Sequence, residues 1–87
     1  MPSWLMTLPE AELRRTLVLA GFRLEGDGAR LEADPGVRVA WTREADLALG
    51  ALRLARFRVE LDPSGRGEPE ARVLASWFLA WFQKGGG

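Results

Sequence analysis

The side chains that most often do chemistry at neutral pH are missing from this sequence. Its 87 residues contain no His, Cys or Tyr, so the usual general base and two common nucleophiles are absent. The hydroxyl candidates are Ser3, Ser64 and Ser76, and none of them lies in a nucleophile motif such as Gly-x-Ser-x-Gly. The sequence therefore predicts a protein without catalytic residues rather than an enzyme.

Three aspartates could in principle pair for acid–base work or for calcium binding: Asp27, Asp34 and Asp62. Each stands beside a Gly or a Pro in a predicted turn. Asp favours such positions because its carboxylate accepts hydrogen bonds from nearby backbone amides. We therefore interpret them as turn residues and predict no metal site and no cofactor.

Five arginines are expected to share the exposed face of a predicted sheet: Arg23, Arg30, Arg38, Arg56 and Arg58. Such a face could contact the phosphates of RNA, and the predicted element order is similar to that of double-stranded-RNA-binding domains. However, Glu25, Glu32 and Glu60 are interleaved with the arginines, no aromatic side chain accompanies them, and the last helix opens with Glu rather than with a basic cluster. Cross-strand ion pairing explains the arginines equally well, so RNA binding is an alternative function and is predicted to be weak.

The chain ends in Gly85-Gly86-Gly87, which resembles the free Gly-Gly terminus of ubiquitin-like sulfur carriers. That resemblance implies a terminal carboxylate that is adenylated and then thiolated. In those carriers the tail follows a strand of a β-grasp fold that begins with a hairpin, whereas here a predicted helix begins the chain and another precedes the tail. A helix C-cap and a frayed end also explain these glycines, so the sulfur carrier is a second alternative function.

Apolar side chains are most concentrated in the segment 73–82, Val-Leu-Ala-Ser-Trp-Phe-Leu-Ala-Trp-Phe. At helical spacing they cover about half of the circumference, which is wider than the stripe that one sheet normally buries. Eleven other apolar side chains compete for the same sheet face: Leu13, Leu17, Phe22, Leu24, Leu31, Val37, Val39, Trp41, Phe57, Val59 and Leu61. We therefore predict that an interface between two copies of the chain draws on Trp77, Phe78, Leu79, Trp81 and Phe82. A wholly buried core helix and an apolar ligand pocket are the other interpretations.

Composition and charge indicate one ordinary folded domain. With 47% hydrophobic and 28% charged residues, we expect a single α+β domain at residues 1–84 and a flexible glycine tail at 85–87. Twelve acidic and twelve basic residues balance, so no net field favours nucleic acid or anionic lipid. The lack of cysteine and of a signal-peptide or membrane-spanning pattern predicts a cytoplasmic protein. The scarcity of Asn, Cys and Gln fits a thermophilic source or GC-rich coding.

The predicted elements begin with a helix from about residue 8 to residue 20, for which Thr7 and Glu10 fit a capping box and Gly21 fits the end. Alternating apolar and polar residues then predict three antiparallel strands, at 22–25, 29–33 and 37–41. The stretch 43–55 is ambiguous, because its Ala and Leu content favours helix while its apolar odd positions favour strand with a bulge, a bend or a change of element.

A strand from about Arg56 to Leu61 and a helix that begins near Pro69 complete the chain. The predicted fold is α+β in two layers, an antiparallel β-meander of about four strands with N- and C-terminal helices on one face. These patterns favour a non-catalytic small interaction module that self-associates as a homodimer through its aromatic-rich C-terminal helix. A different protein partner would fit the same helix.

Overall fold

Five antiparallel strands and two helices make up the part of the chain that the computed structural model describes, residues 2–85 for the backbone and 2–83 for the side chains. In chain order the elements are β1 (Ser3–Thr7), α1 (Glu10–Leu19), β2 (Phe22–Glu25), β3 (Gly28–Leu31), β4 (Arg38–Leu49), β5 (Leu52–Asp62) and α2 (Glu68–Gly85). The strands form one sheet in the order β1-β5-β4-β3-β2. The predicted α+β meander with two helices is confirmed, with five strands rather than about four.

The additional strand is β1, which the sequence analysis missed. It pairs with β5 in antiparallel register, from Ser3 opposite Glu60 to Thr7 opposite Arg56. The chain therefore begins with a strand rather than with a helix. Thr7 ends that strand and does not cap α1, whose N-cap is Pro9 without any side-chain capping hydrogen bond.

The ambiguous stretch 43–55 belongs to a long hairpin formed by β4 and β5. A bulge interrupts its register between Glu44 and Leu47, which gives β4 one extra residue. Beyond the bulge Leu47 pairs with Leu54 and Leu49 with Leu52, and Gly50 turns the chain at φ 61°. The core residues of this hairpin all lie outside 42–56, so its tip extends beyond the helix-covered part of the sheet.

The core lies between the two helices and one face of the sheet. Of the eleven apolar side chains expected there, nine are buried, while Leu24 and Leu31 are partly buried against them. Phe78 of α2 is fully buried in the same cluster. The opposite face of the sheet, which we call the open face, has no layer over it in the described chain. Neither described helix is long and apolar enough to cross a membrane.

Candidate interaction surfaces

The candidates for acid–base or metal chemistry lie apart from one another. Asp34 is paired with Arg66 at 2.6 Å and Asp62 with Arg38 at 3.4 Å, while Asp27 belongs to the turn between β2 and β3. Among the described residues no three Asp or Glu side chains are grouped to hold a metal ion. The three serines lie on β1, in the loop after β5 and on α2. The structure therefore assembles no site from these groups in the described chain.

Phe78 is the centre of an aromatic cluster within the single chain. Its ring stacks on Trp4 with the centroids 5.5 Å apart, meets Phe22 edge-on at 5.9 Å and contacts Phe82 at 5.2 Å. It is 0% exposed. Of the five residues predicted for an interface, Phe78 therefore presents no surface to a second copy, and its role in this fold is to anchor α2 on the sheet.

The other residues of the predicted interface divide between two sides of α2. Trp77 is 37% exposed and lines an open groove with Val73 and Leu74. Its ring centroid lies 6.2 Å from that of Phe22. Leu79 and Phe82 lie on the side of the helix that faces β1. Both are partly buried, as is Trp81.

Two grooves, which we call the edge grooves, flank β1 on the helix side of the sheet. The first, of about 380 Å³, is lined by Trp4, Met6, Leu8, Leu79 and Phe82 among others. The second, of about 450 Å³, lies nearer the start of α2, and its lining includes the ion-paired Glu68 and Arg72. Trp4 and Leu79 belong to both grooves. An apolar strip therefore runs between β1 and α2 along the first groove, and it ends near the charged residues at the start of α2.

The backbone of β1 has a free side. Pro2 accepts a hydrogen bond at its carbonyl oxygen from the Leu61 amide (2.9 Å), and the Leu8 amide donates to the Ala55 carbonyl oxygen (3.0 Å). Hydrogen-bonding direction alternates along a strand, so the even-numbered residues face β5. The N–H and C=O groups of Ser3, Leu5 and Thr7 consequently point away from the sheet.

The two edge strands of the sheet differ in charge. β1 reads Ser-Trp-Leu-Met-Thr and has no charged residue and no proline, whereas β2 has Arg23 and Glu25 within its four residues. Charged side chains and prolines are the usual means by which an edge strand avoids pairing with another chain. The period-two pattern of Trp4 and Met6 could have revealed β1, but the helix-capping pattern that overlaps it at Thr7 concealed it.

The five predicted phosphate-binding arginines do share the open face. The register places Arg23 opposite Arg30 and Arg30 opposite Arg38, which makes a row of three across neighbouring strands. Arg58 and Arg56 lie opposite Thr42 and Glu44.

Acidic and backbone partners occupy several of these arginines. Arg30 pairs with Glu25 at 3.0 Å, Arg38 pairs with Asp62, and Arg56 donates to the Ala45 carbonyl oxygen at 2.9 Å. Glu25 and Asp62 thus neutralise two of these arginines, whereas the interleaved Glu32 and Glu60 make no ion pair within the described residues.

The candidate carrier tail is only partly within the described chain. Gly85 is the last residue of α2, and Gly86 and Gly87 lie outside the described residues. The tail follows a helix, and the first strand is followed by a helix rather than by the second strand of a hairpin. Both features differ from the β-grasp carriers that the terminal glycines resemble.

No protein-family model, no curated protein and no solved structure matches this chain. Its own surfaces are therefore the basis for assigning a function.

Proposed function

We propose that this chain is a non-catalytic interaction module that self-associates as a homodimer through the side of α2 facing β1. The observation that carries the proposal is the position of Leu79, which lies in both edge grooves beside an uncharged strand edge. The missing His, Cys and Tyr support a binding role over a catalytic one. The absence of cysteine also supports a cytoplasmic location.

The side chains around the first edge groove have the composition of an interface core. Trp, Phe and Met are enriched where protein partners bury their surfaces, and charged residues are depleted there. The first groove has Trp4, Met6 and Phe82 in its lining and only one charged residue, Glu12. Covering such surface contributes about 25 cal/mol for each Å² of apolar area removed from water.

A second copy is a suitable partner for this surface because nothing in the charge of the chain opposes it. The formal net charge is zero at pH 7, so two copies approach without net repulsion. A two-fold dimer places the same apolar strip against itself and satisfies both copies at once.

The test compares two glutamate substitutions on opposite sides of α2. Leu79→Glu puts a charge into both edge grooves, while Val73→Glu puts the same charge at a helix position that is 70% exposed on the other side. By sedimentation equilibrium we expect a dimer for the wild type and for Val73→Glu, and a monomer for Leu79→Glu. Circular dichroism should show that all three proteins are folded.

A wild-type protein that sediments as a monomer at the highest concentration reached would contradict the proposed function. A dimer disrupted by Val73→Glu but not by Leu79→Glu would move the interface to the Trp77 side of the helix. Within the described residues, the RNA-binding alternative has the arginines of the open face, two of which are paired with carboxylates, and the last two glycines of the sulfur-carrier alternative lie outside those residues.

A further inference from the structure

We propose that the two copies join edge to edge, with β1 pairing antiparallel to β1 of the second copy about a two-fold axis at Leu5. The two five-stranded sheets then become one continuous sheet with all four helices on the same face. This inference rests on the proposed function, because it presupposes self-association, and it names the strand that carries it.

The first reason is the difference between the two edges of the sheet. An unprotected edge presents a row of unpaired N–H and C=O groups that can pair with another chain. β1 is such an edge, since none of its five residues is charged and Leu5, at its centre, is 44% exposed. β2, the other edge, is four residues long and is protected by Arg23 and Glu25.

The second reason is the direction of the backbone groups. A two-fold axis through a hydrogen-bonded pair requires a residue whose N–H and C=O both point outward. Leu5 meets this requirement because the even residues of β1 are the ones bonded to β5. Leu5 then exchanges hydrogen bonds with Leu5 of the second copy, and Ser3 does so with Thr7 on each side of the axis. About six hydrogen bonds result from the alternation of an antiparallel ladder.

The third reason is that the side chains of β1 are complementary to themselves when the strand is reversed. Ser-Trp-Leu-Met-Thr read backwards places a hydroxyl opposite a hydroxyl, Trp4 opposite Met6, and Leu5 opposite itself. Hydroxyl pairs and apolar pairs stabilise antiparallel strands, and a methionine sulfur makes favourable contacts with an aromatic ring. No like charges meet anywhere along the pairing.

The position of α2 agrees with this arrangement. Trp4 and Met6 point toward the helix layer, where they are packed against the core. On the helix side of the boundary between the two β1 strands, each copy therefore contributes an edge groove that contains Leu79. The α2 helices of the two copies lie on opposite sides of this boundary. Packed helices lie about 8–10 Å apart. Closing the grooves therefore requires the two α2 helices to approach to that distance, one on each side of the boundary between the two β1 strands.

Amide hydrogen exchange of the wild-type protein, resolved by residue with NMR, tests the pairing without any substitution. We expect the amides of Ser3, Leu5 and Thr7 to exchange at least about tenfold more slowly at concentrations where the protein is dimeric than where it is monomeric. The amides of Trp4, Met6 and Leu8 bond to β5 in both states and should change little.

Two substitutions at Leu5 add an independent measurement. Leu5→Pro removes the N–H at the axis, yet it removes no hydrogen bond within one copy, because that N–H points away from β5, and proline is tolerated on edge strands. We expect Leu5→Pro to raise the dimer dissociation constant by about thirtyfold or more, as the loss of two hydrogen bonds implies. Leu5→Val retains the N–H and should change the constant by less than about threefold.

The outcomes separate this inference from the proposed function. A wild-type monomer overturns both. Two results overturn the edge pairing alone, provided that the wild type is a dimer. One is a Leu5 amide that exchanges at the same rate at all protein concentrations, and the other is an equal dimer dissociation constant for Leu5→Pro and Leu5→Val. In that case disruption by Leu79→Glu would still support self-association through α2. The edge pairing is supported if the exchange rate of the Leu5 amide depends on protein concentration and if Leu5→Pro, but not Leu5→Val, weakens the dimer.

Discussion

At the scale of single residues, Phe78 and Val73 show how differently two apolar positions of one helix are used. Phe78 touches rings from β1, from β2 and from its own helix, and so connects both edges of the sheet with the helix layer. Val73, less than two turns earlier, has 70% of its surface in water. The aromatic segment that stands out in the sequence is therefore first of all a structural anchor.

We expect Phe78→Ala to lower the free energy of unfolding by about 3–5 kcal/mol, because the cavity it leaves lies among three rings. Val73→Ala on the same helix is the matched control and should change that free energy by about 0.5 kcal/mol or less. Urea denaturation followed by circular dichroism measures both. Equal effects of the two substitutions would mean that α2 is not anchored through Phe78.

At the scale of elements, strands that pair with neighbours in the sequence could be predicted, whereas a strand that pairs with a distant segment could not. The segment 22–41 could be predicted because each alternating strand lies beside its turn in sequence, and the nine buried residues expected for the sheet face are buried. β1 could not, because its five residues gain strand structure only from β5, more than 50 positions away in the register of Ser3 with Glu60. The capping pattern at Thr7 pointed to a helix, and tertiary pairing overrode it.

The candidate surface was found only in part for the same reason. The apolar excess of α2 is visible in the sequence, and it led to Leu79 and Phe82. The edge grooves and the free side of β1 depend on where the first strand is placed, which no spacing within 73–82 encodes. The bulge between Glu44 and Leu47 is an intermediate case, since the phase change of the leucines required an irregularity but did not locate it.

The tip of the β4–β5 hairpin should open more readily than its base. Leu52 is 63% exposed, and the part of the hairpin between 47 and 54 contributes no residue to the core. We expect amides there to exchange at least about tenfold faster than those at 57–61, since opening the tip exposes little additional apolar surface. Hydrogen exchange with mass spectrometry measures this difference. Equal protection along both strands would show that something covers the tip in solution.

At the scale of the whole molecule, the balance of acidic and basic residues limits how strongly the arginines of the open face can bind a polyanion. Arg23, Arg56 and Arg58 make no ion pair within the described residues, whereas Arg30 and Arg38 each have a carboxylate partner. The Arg56 guanidinium already donates a hydrogen bond to the Ala45 carbonyl oxygen. A polyanion therefore meets about two available guanidinium groups on a molecule with no net field to attract it.

We expect any binding of single-stranded RNA to be weak and to fall with salt, with a slope of log K against log salt of about −1.4, because two phosphate contacts each contribute about −0.7. Fluorescence anisotropy with a labelled oligonucleotide between low and moderate salt measures the slope. The double substitution Arg23→Gln and Arg58→Gln should abolish the binding. Tight, sequence-specific binding that resists salt would overturn our interpretation of this face.

In the proposed edge-to-edge dimer, the charges of β2 also determine whether further copies can add. When two chains pair through β1, both outer borders of the joined sheet are β2 strands, and each has Arg23 and Glu25 in four residues. Each chain thus has one strand edge that can pair with another copy, and that edge is no longer free once the dimer has formed. A sheet with two neutral borders could add copies without limit and form fibres. With one neutral and one charged border, growth ends at two chains.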